Sequence, residues 1–460
     1  MSASSLPAYR PPSFARSPAS PVYTPEPQAY EQRLALNRIR ERPSTEFVKQ
    51  SKTGGLSLRL SEQEDNASLP VYGCGDSVEG TVDLVKPESA SGVEVRVEGS
   101  IRLKEIAEGG TTSHKLCLSV VTLWNRETDR TPCPASLPFS LTLPTTFSDG
   151  KETYPLPPTH QARLPGVPGF DATIEYIVCA VVHKGKASSL LRIGSRCVPA
   201  RTSLRPCLNF LGLSSTVCTP FIYYPRSRPA VPLPRAARQL AGGYPAYLDT
   251  PDWRCYKSVM APKVPGLNDI MTKFYVPAAR VFSLSEPIPF YVMFASSAIS
   301  LAAFLPLGPT TTRLSGRQPT RVQLLRQTNV DVRNETVFGT KTDIWQTVEI
   351  GEGAFRHMGD GPDWICFSGE LRVNGQIKIG GFKAGGLSLK DYLVLSMTPP
   401  DPVKTPFNEL RQVVPVRLTT DPWSSDGAGH TFSASDYSIP ILASESRHPV
   451  NAPVPGYRPA

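Results

Sequence analysis

Between Ile177 and Leu248 the sequence has no aspartate or glutamate and ten lysines and arginines. Six of them, Lys184, Lys186, Arg192, Arg196, Arg201 and Arg205, flank a segment with strand character and its exit. A guanidinium fork matches two oxygens of a phosphate or carboxylate at once, and an ammonium adds a point charge. These six residues are therefore the candidate site for phosphate or another acidic ligand, on a lipid headgroup or on a phosphorylated peptide tail. The net charge of the chain is +9, so everything outside the run sums to −1. The basicity is local. The bland reading is a dispersed, solvated set of charges.

Other constellations read as structure. His357, Asp360 and Asp363 in HMGDGPDW have a spacing that could hold a metal, but DG and GP are strong turn formers, so a plain loop between strands is expected and no metal is assigned. KIGGFKAGGLSLK (378–390) is glycine-rich without the order of a phosphate loop. No GxSxG and no paired carboxylates stand out, and neither a catalytic residue nor a cofactor is assigned. Basic helices and interleaved aromatics of the nucleic-acid-binding kind are missing from the sequence, so no nucleic-acid partner is expected.

The elements that would carry these residues are strands. VEVRVEGSIRL (93–103) puts Val93, Val95 and Val97 on one face and Glu94, Arg96 and Glu98 on the other, with a bulge at Gly99–Ser100. Similar segments recur at 56–61, 78–85, 116–124, 137–143, 173–182 and 189–197. They resume at 253–259, 279–284, 288–294, 320–327, 347–350, 364–373, 391–397 and 412–419, with turn residues between. The spacing predicts an all-β chain of two tandem immunoglobulin-like sandwiches. The segments are a disordered Pro/Ser/Arg-rich tail at 1–52 with a short helix at 29–42, a sandwich at 53–222, a Pro/Arg-rich linker at 223–252, a sandwich at 253–423, and a disordered tail at 424–460. YGCGDSVEGTV (72–82) echoes FSLSEPIPFYV (282–292) at a constant offset of 210, which suggests the same opening hairpin twice. The 48 prolines follow the same logic. Pro138 and Pro144 fence a strand that belongs at a sheet edge, whereas the proline-free run at 173–182 suits a central strand.

The uncharged run FYVMFASSAISLAAFLPL (290–307) is interrupted by serines and bounded by prolines, so a buried strand with its following loop is expected rather than a membrane span. MSASSLPAYRPPSFARSP carries no apolar leader core, and the nine cysteines include no CxxC. Both features predict reduced thiols in a cytoplasmic protein.

Four segments, in this order, resemble a known family. VYGCGDSVEGTVDL (71–84), LPFSLTLP … YPLPP … FDATIEYIVCAVV (137–182), ARVFSLSEPIPFYV (279–292) and GLSLKDYLVLSMTPP (386–400) are similar to strand motifs of arrestin-like proteins over about residues 55–420. The Pro-rich tails resemble the α-arrestin, or arrestin-related trafficking adaptor, branch. The resemblance implies the arrestin fold and a non-catalytic adaptor that recognises cytoplasmic tails of membrane transporters or receptors, recruits a HECT-type ubiquitin ligase, and promotes endocytosis and sorting. It also implies recruitment to the plasma membrane or endosomes, and a basic first-sandwich surface for phosphate, with anionic lipid headgroups as a further partner. The ligase's WW domains bind PPxY-like motifs, which must be exposed and unfolded so that a polyproline turn meets aromatic rings. The chain has no PPxY, but six P-x-Y triplets. Those in the tails are the candidate WW contacts: Leu6, Pro7 and Tyr9 in LPAY, and Val454, Pro455 and Tyr457 in VPGY. Two other classes are carried beside this reading: an arrestin-fold coat or sorting subunit that needs no ligase, and a hydrolase on a β scaffold.

Overall fold

The computed structural model describes residues 27, 29–34, 45–63, 67–106, 110–166, 169–184, 214–234, 248–311, 318–333, 341–399, 401 and 403–425. Among them the regular structure is almost all strand. The first half holds β1 (Glu31–Leu34), β2 (Thr45–Gln50), β3 (Leu56–Gln63), β4 (Val71–Tyr72), β5 (Ser77–Leu84), β6 (Ala90–Glu105), β7 (Thr111–Asn125), β8 (Ser136–Thr142), β9 (Thr146–Ser148), β10 (Thr153–Pro155), β11 (His160–Leu164), β12 (Phe170–Lys184), β13 (Ser214–Tyr223) and β14 (Arg226–Pro229). The second holds β15 (Trp253–Met260), β16 (Ile270–Pro277), β17 (Val281–Ser283), β18 (Ile288–Ala295), the helix α1 (Ala298–Phe304), β19 (Thr320–Arg333), β20 (Lys341–Asp360), β21 (Trp364–Leu371), β22 (Lys383–Ala384), β23 (Leu387–Met397) and β24 (Leu410–Thr419).

Alternation builds the layers. Leu56, Leu58 and Leu60 on β3, Val78 and Val82 on β5, and Leu137, Phe139 and Leu141 on β8 all turn inward. They share one core with Val93, Val95 and Val97 of β6, Tyr176 and Val178 of β12, and Phe221 of β13. Each such side chain contributes on the order of 1.5–3 kcal/mol by leaving water. Glu94 and Arg96 sit on the outer face, and the β6–β7 register shifts between Gly99 and Ser100, at the expected bulge.

The strand order occurs twice. In the first half one sheet runs β2-β3-β5-β8 and the other β4-β13-β12-β6-β7. In the second half the same order appears as β15-β16-β18-β21 and β17-β24-β23-β19-β20. The sequence echo falls on equivalent strands, with Tyr72 in β4 and Phe282 in β17, but not on the hairpins expected: β5 and β18 do not pair with them and lie in the other sheet of each half. Each of these short strands pairs in parallel with the last long strand of its half, Tyr72 with Tyr223 and Phe282 with Leu418. Every other pairing among the named strands is antiparallel. The halves differ at one corner. β20 pairs β19 through Glu352 and then β21 from Gly353, which joins the two sheets of the second half.

The prolines sit where the ladder does not need them. Pro138 is on β8, the edge of its sheet, and Pro144 lies just beyond its end. Pro289 of β18 precedes the stretch that β16 pairs, and Pro415 of β24 precedes the stretch that β17 pairs. β12 is central, between β13 and β6. The apolar run at 290–307 is the buried strand β18 followed by α1 and a short 3-10 turn, and no helix among the described residues is long and apolar enough to cross a membrane.

Three expectations are corrected. The helix expected at 29–42 is replaced, at its described residues, by β1, which is held in a ladder by β14 (Glu31 opposite Pro229) and so cannot wind. β14 itself lies within the segment expected as a linker. The nine cysteines are not all reduced. Cys179 and Cys218 face each other across β12 and β13 and form a disulfide, their Cα atoms 4.1 Å apart.

Candidate functional site in the seam between the halves

Most of the expected site residues lie outside the described residues. These are Leu6, Pro7, Tyr9, Val454, Pro455 and Tyr457 of the tails, and Lys186, Arg192, Arg196, Arg201 and Arg205 of the basic run; the strand expected at 189–197 is there too. Lys184 is described. It is exposed at the end of β12, opposite Ala90. His357 Nε2 lies 3.8 Å from Asp360 Oδ2, both side chains exposed, at the end of β20 with a turn following. Among the described residues no group of three or more His, Cys, Asp or Glu is placed to hold a metal.

The charges that the structure concentrates are elsewhere, along the seam where the halves meet. Arg226, on β14, forms a two-pronged pair with Asp421, just past β24; its Nε is 3.0 Å from Oδ2, and both side chains are almost wholly buried. Thr420 Oγ1 accepts from Ser227 N at 2.9 Å, and its hydroxyl lies 2.6 Å from Asp421 Oδ2. Glu31 of β1 reaches Arg417 of β24 at 2.6 Å. Deeper in, Arg326 of β19 pairs with Asp391 of β23 at 2.7 Å and donates to Ile379 O at 2.9 Å. Arg33, Lys383, Arg226 and Arg417 line a cleft here, with Pro157 and Gly380 among its walls.

Apolar contacts close the same seam. Phe382, Ala384, Leu387 and Leu389 of the second half join the core of the first. The β22–β23 turn needs backbone at φ +45° and +97°, which Gly385 and Gly386 supply. A Cβ at Gly386 would come within 2.7 Å of Asp331 O, and one at Gly385 within 3.3 Å of Ile101 and His114, so glycines let the turn seat this deeply. Lys383 lies over the Tyr154 ring at 4.7 Å, and a hydrogen bond with the Tyr154 side chain, ahead of the nearby carboxylates, holds its pKa above the usual lysine value.

His160 is the titratable group of the seam. Its ring is edge-on to Phe382 at 5.5 Å, and its Nε2 is buried without a hydrogen-bond partner. Burial, and then the Arg326 cation, hold its pKa down to about 3. A folded value below the unfolded one of about 6.5 means that the stabilisation is complete above pH 6.5 and is lost as pH falls toward 3. Between pH 7 and pH 4 the wild type is expected to lose roughly 3 kcal/mol more than a His160→Phe variant, read from urea unfolding at the two pH values.

Sequence reasoning missed the seam. Its partners are nearly 200 residues apart (Arg226 and Asp421) or come from strands that carry no charge pattern of their own. Compared with protein-family models, the chain gives no match, and no curated protein matches it.

Proposed function

We propose that the chain is an arrestin-like, non-catalytic adaptor built on two sandwiches in tandem. The observation that carries the reading is the repeated strand order, with a parallel closing pair at the same place in each half. That arrangement is what the resemblance of the four sequence segments leads one to expect. In this reading Lys184, Lys186, Arg192, Arg196, Arg201 and Arg205 take phosphate or acidic groups of a membrane protein's cytoplasmic tail. The terminal segments, through Leu6, Pro7 and Tyr9 and through Val454, Pro455 and Tyr457, engage WW domains of a HECT-type ubiquitin ligase. Two weak contacts on one chain raise effective concentration, so the pair binds far more tightly than either alone.

The test is a pull-down of the full-length protein with the WW domains of such a ligase. Capture is expected, with a loss of at least about tenfold in the Tyr9→Ala, Tyr457→Ala double variant. If the intact protein is not captured, ligase recruitment is excluded. One observation favours the coat-subunit reading in that event: the halves share a core and two buried ion pairs, Arg226–Asp421 and Glu31–Arg417, which suits a rigid structural part. Removing both terminal segments would leave that role intact and abolish the adaptor role.

A further inference from the structure

The Cys179–Cys218 disulfide sits where strand order gives its two sulfurs different surroundings. Cys179 is on β12, which has β6 on one side and β13 on the other. Cys218 is on β13, directly opposite Cys179. On its far side β13 meets β4 only at Ile222 and Tyr223. Beside Cys218 that edge carries no strand among the described residues. Burial follows the same order: Cys179 is 5% exposed, whereas Cys218 is half-buried.

Both cysteines face away from the core. Val178 and Ala180 of β12 and Val217 of β13 point into it, so alternation turns Cys179 and Cys218 outward. On that outer face Arg96 of β6 stands directly opposite Cys179. Such a pair has its Cβ atoms about 4.5–5.5 Å apart. Arg96 Nη2 pairs with Glu94, and its Nε is buried with no hydrogen-bond partner. The same Glu94 lies 3.7 Å from His183 Nε2, and the next outward group on β6, Glu98, is 3.6 Å from Lys115. The cation with a spare N–H is therefore the one beside Cys179. A guanidinium in that position favours the sulfur as a thiolate.

Thiol–disulfide exchange begins when a thiolate attacks one sulfur, nearly in line with the bond that breaks, and the other sulfur leaves as a thiolate. Attack on Cys179 has to come from the β6 side, past Arg96, onto a buried sulfur. Attack on Cys218 comes from the open side of β13 and expels Cys179 next to the guanidinium. Access and leaving-group stabilisation select the same direction.

We infer that the Cys179–Cys218 bond is an exchange site for a small thiol of the glutathione type, with Cys218 the sulfur attacked, Cys179 the leaving group and Arg96 the residue that holds its thiolate. The first glutathione thiolate forms an S–S bond to Cys218 Sγ, and the electron pair of the broken bond goes to Cys179. A second glutathione thiolate then displaces Cys218. The protein disulfide is reduced to two thiols, two glutathiones are oxidised to one disulfide, and the two protons that they give up end on the cysteines. The cysteines are 39 residues apart, and the basic run lies between them in sequence. The bond thus makes that stretch a closed covalent loop, and exchange opens it. The inference goes beyond the adaptor reading and needs neither ligase nor cargo.

The experiment treats the oxidised full-length protein with reduced glutathione at pH 7, quenches it with iodoacetamide at intervals, and maps each cysteine by mass spectrometry. At early times glutathione is expected on Cys218 and the alkyl group on Cys179. Arg96→Gln is expected to slow opening roughly threefold or more, and to move the pH midpoint of Cys179 alkylation in the reduced protein up by about 1. Arg96→Lys is expected to keep most of the wild-type rate. A merely structural role for Arg96 would do the opposite, since a loosened sheet exposes the bond and speeds its opening; circular dichroism checks that the variants stay folded. The inference is overturned if both cysteines of the oxidised protein alkylate without glutathione, if glutathione is found on Cys179 instead, or if Arg96→Gln opens as fast as wild type or faster.

Discussion

An Arg226→Ala variant is expected to lose about 3–5 kcal/mol of stability, read from urea unfolding at pH 7. The reason is the partner left behind. Asp421 is wholly buried, and without the guanidinium its carboxylate keeps the Thr420 hydroxyl but has no cation bonded to it. An uncompensated charge in such a place costs far more than the intact pair contributes, because the pair itself has paid for leaving water on both sides. The replacement of both partners, Arg226→Met with Asp421→Leu, is therefore expected to fall within about 2 kcal/mol of wild type. A mild single variant would mean that water reaches the seam.

The second large effect belongs to Phe290 in β18. Its ring is fully buried, edge-on to Phe355 at 5.1 Å and to Phe274 at 6.2 Å. It fills the space left by two glycines, Gly369 on the adjacent β21 and Gly353 on β20 beyond it. A Cβ at Gly369 would sit 2.2 Å from the ring, and one at Gly353 2.7 Å. Phe290→Ala is expected to cost about 3–5 kcal/mol through the cavity it opens. Gly369→Ala is expected to cost roughly 1–3 kcal/mol through overpacking. The two changes touch the same space, so the double variant should be less destabilised than the sum of the singles, by about 1 kcal/mol or more. Strict additivity in a double-mutant cycle would show that the ring and the glycine do not share that space.

Both effects bear on what is legible from residues alone. Alternation is a local signal, so the order of residues by itself shows the shared face of Val93, Val95 and Val97, the edge position of Pro138 and the repeat linking Tyr72 to Phe282. It does not show β16. Met271 and Lys273 stay outside while Phe274, Tyr275 and Val276 are buried in succession, so only its second half is covered on both faces and the alternation is too short to read. The helix α1 is hidden because its capping serine, Ser297, sits inside an apolar stretch that also suits a strand and a loop. β1 and β14 are four residues each and have no period to show; only their pairing makes them strands. The charged seam is illegible for a different reason. Glu31, Arg226, Arg417 and Asp421 are ordinary surface residue types in sequence, and only the closure of both halves buries them. Of the candidate site residues, Lys184 alone has a described place in the fold, and the basic run and terminal motifs remain proposals for experiment.

That closure has a consequence during synthesis. β4 has to wait for β13, and β17 for β24, before either can take its place, and Glu31 cannot meet Arg417 until nearly 400 further residues have been made. At about 5–20 residues per second, β1 waits roughly 10–40 s for its ladder partner β14, and Glu31 waits roughly 20–80 s for Arg417. A nascent chain therefore closes the β1 ladder well before Glu31 can meet Arg417. Its first half can assemble before the second is made, whereas the charged seam forms only once Arg417 and Asp421 have emerged. Truncation shortly before Asp421 would strip the lock from a molecule whose sheets are otherwise complete.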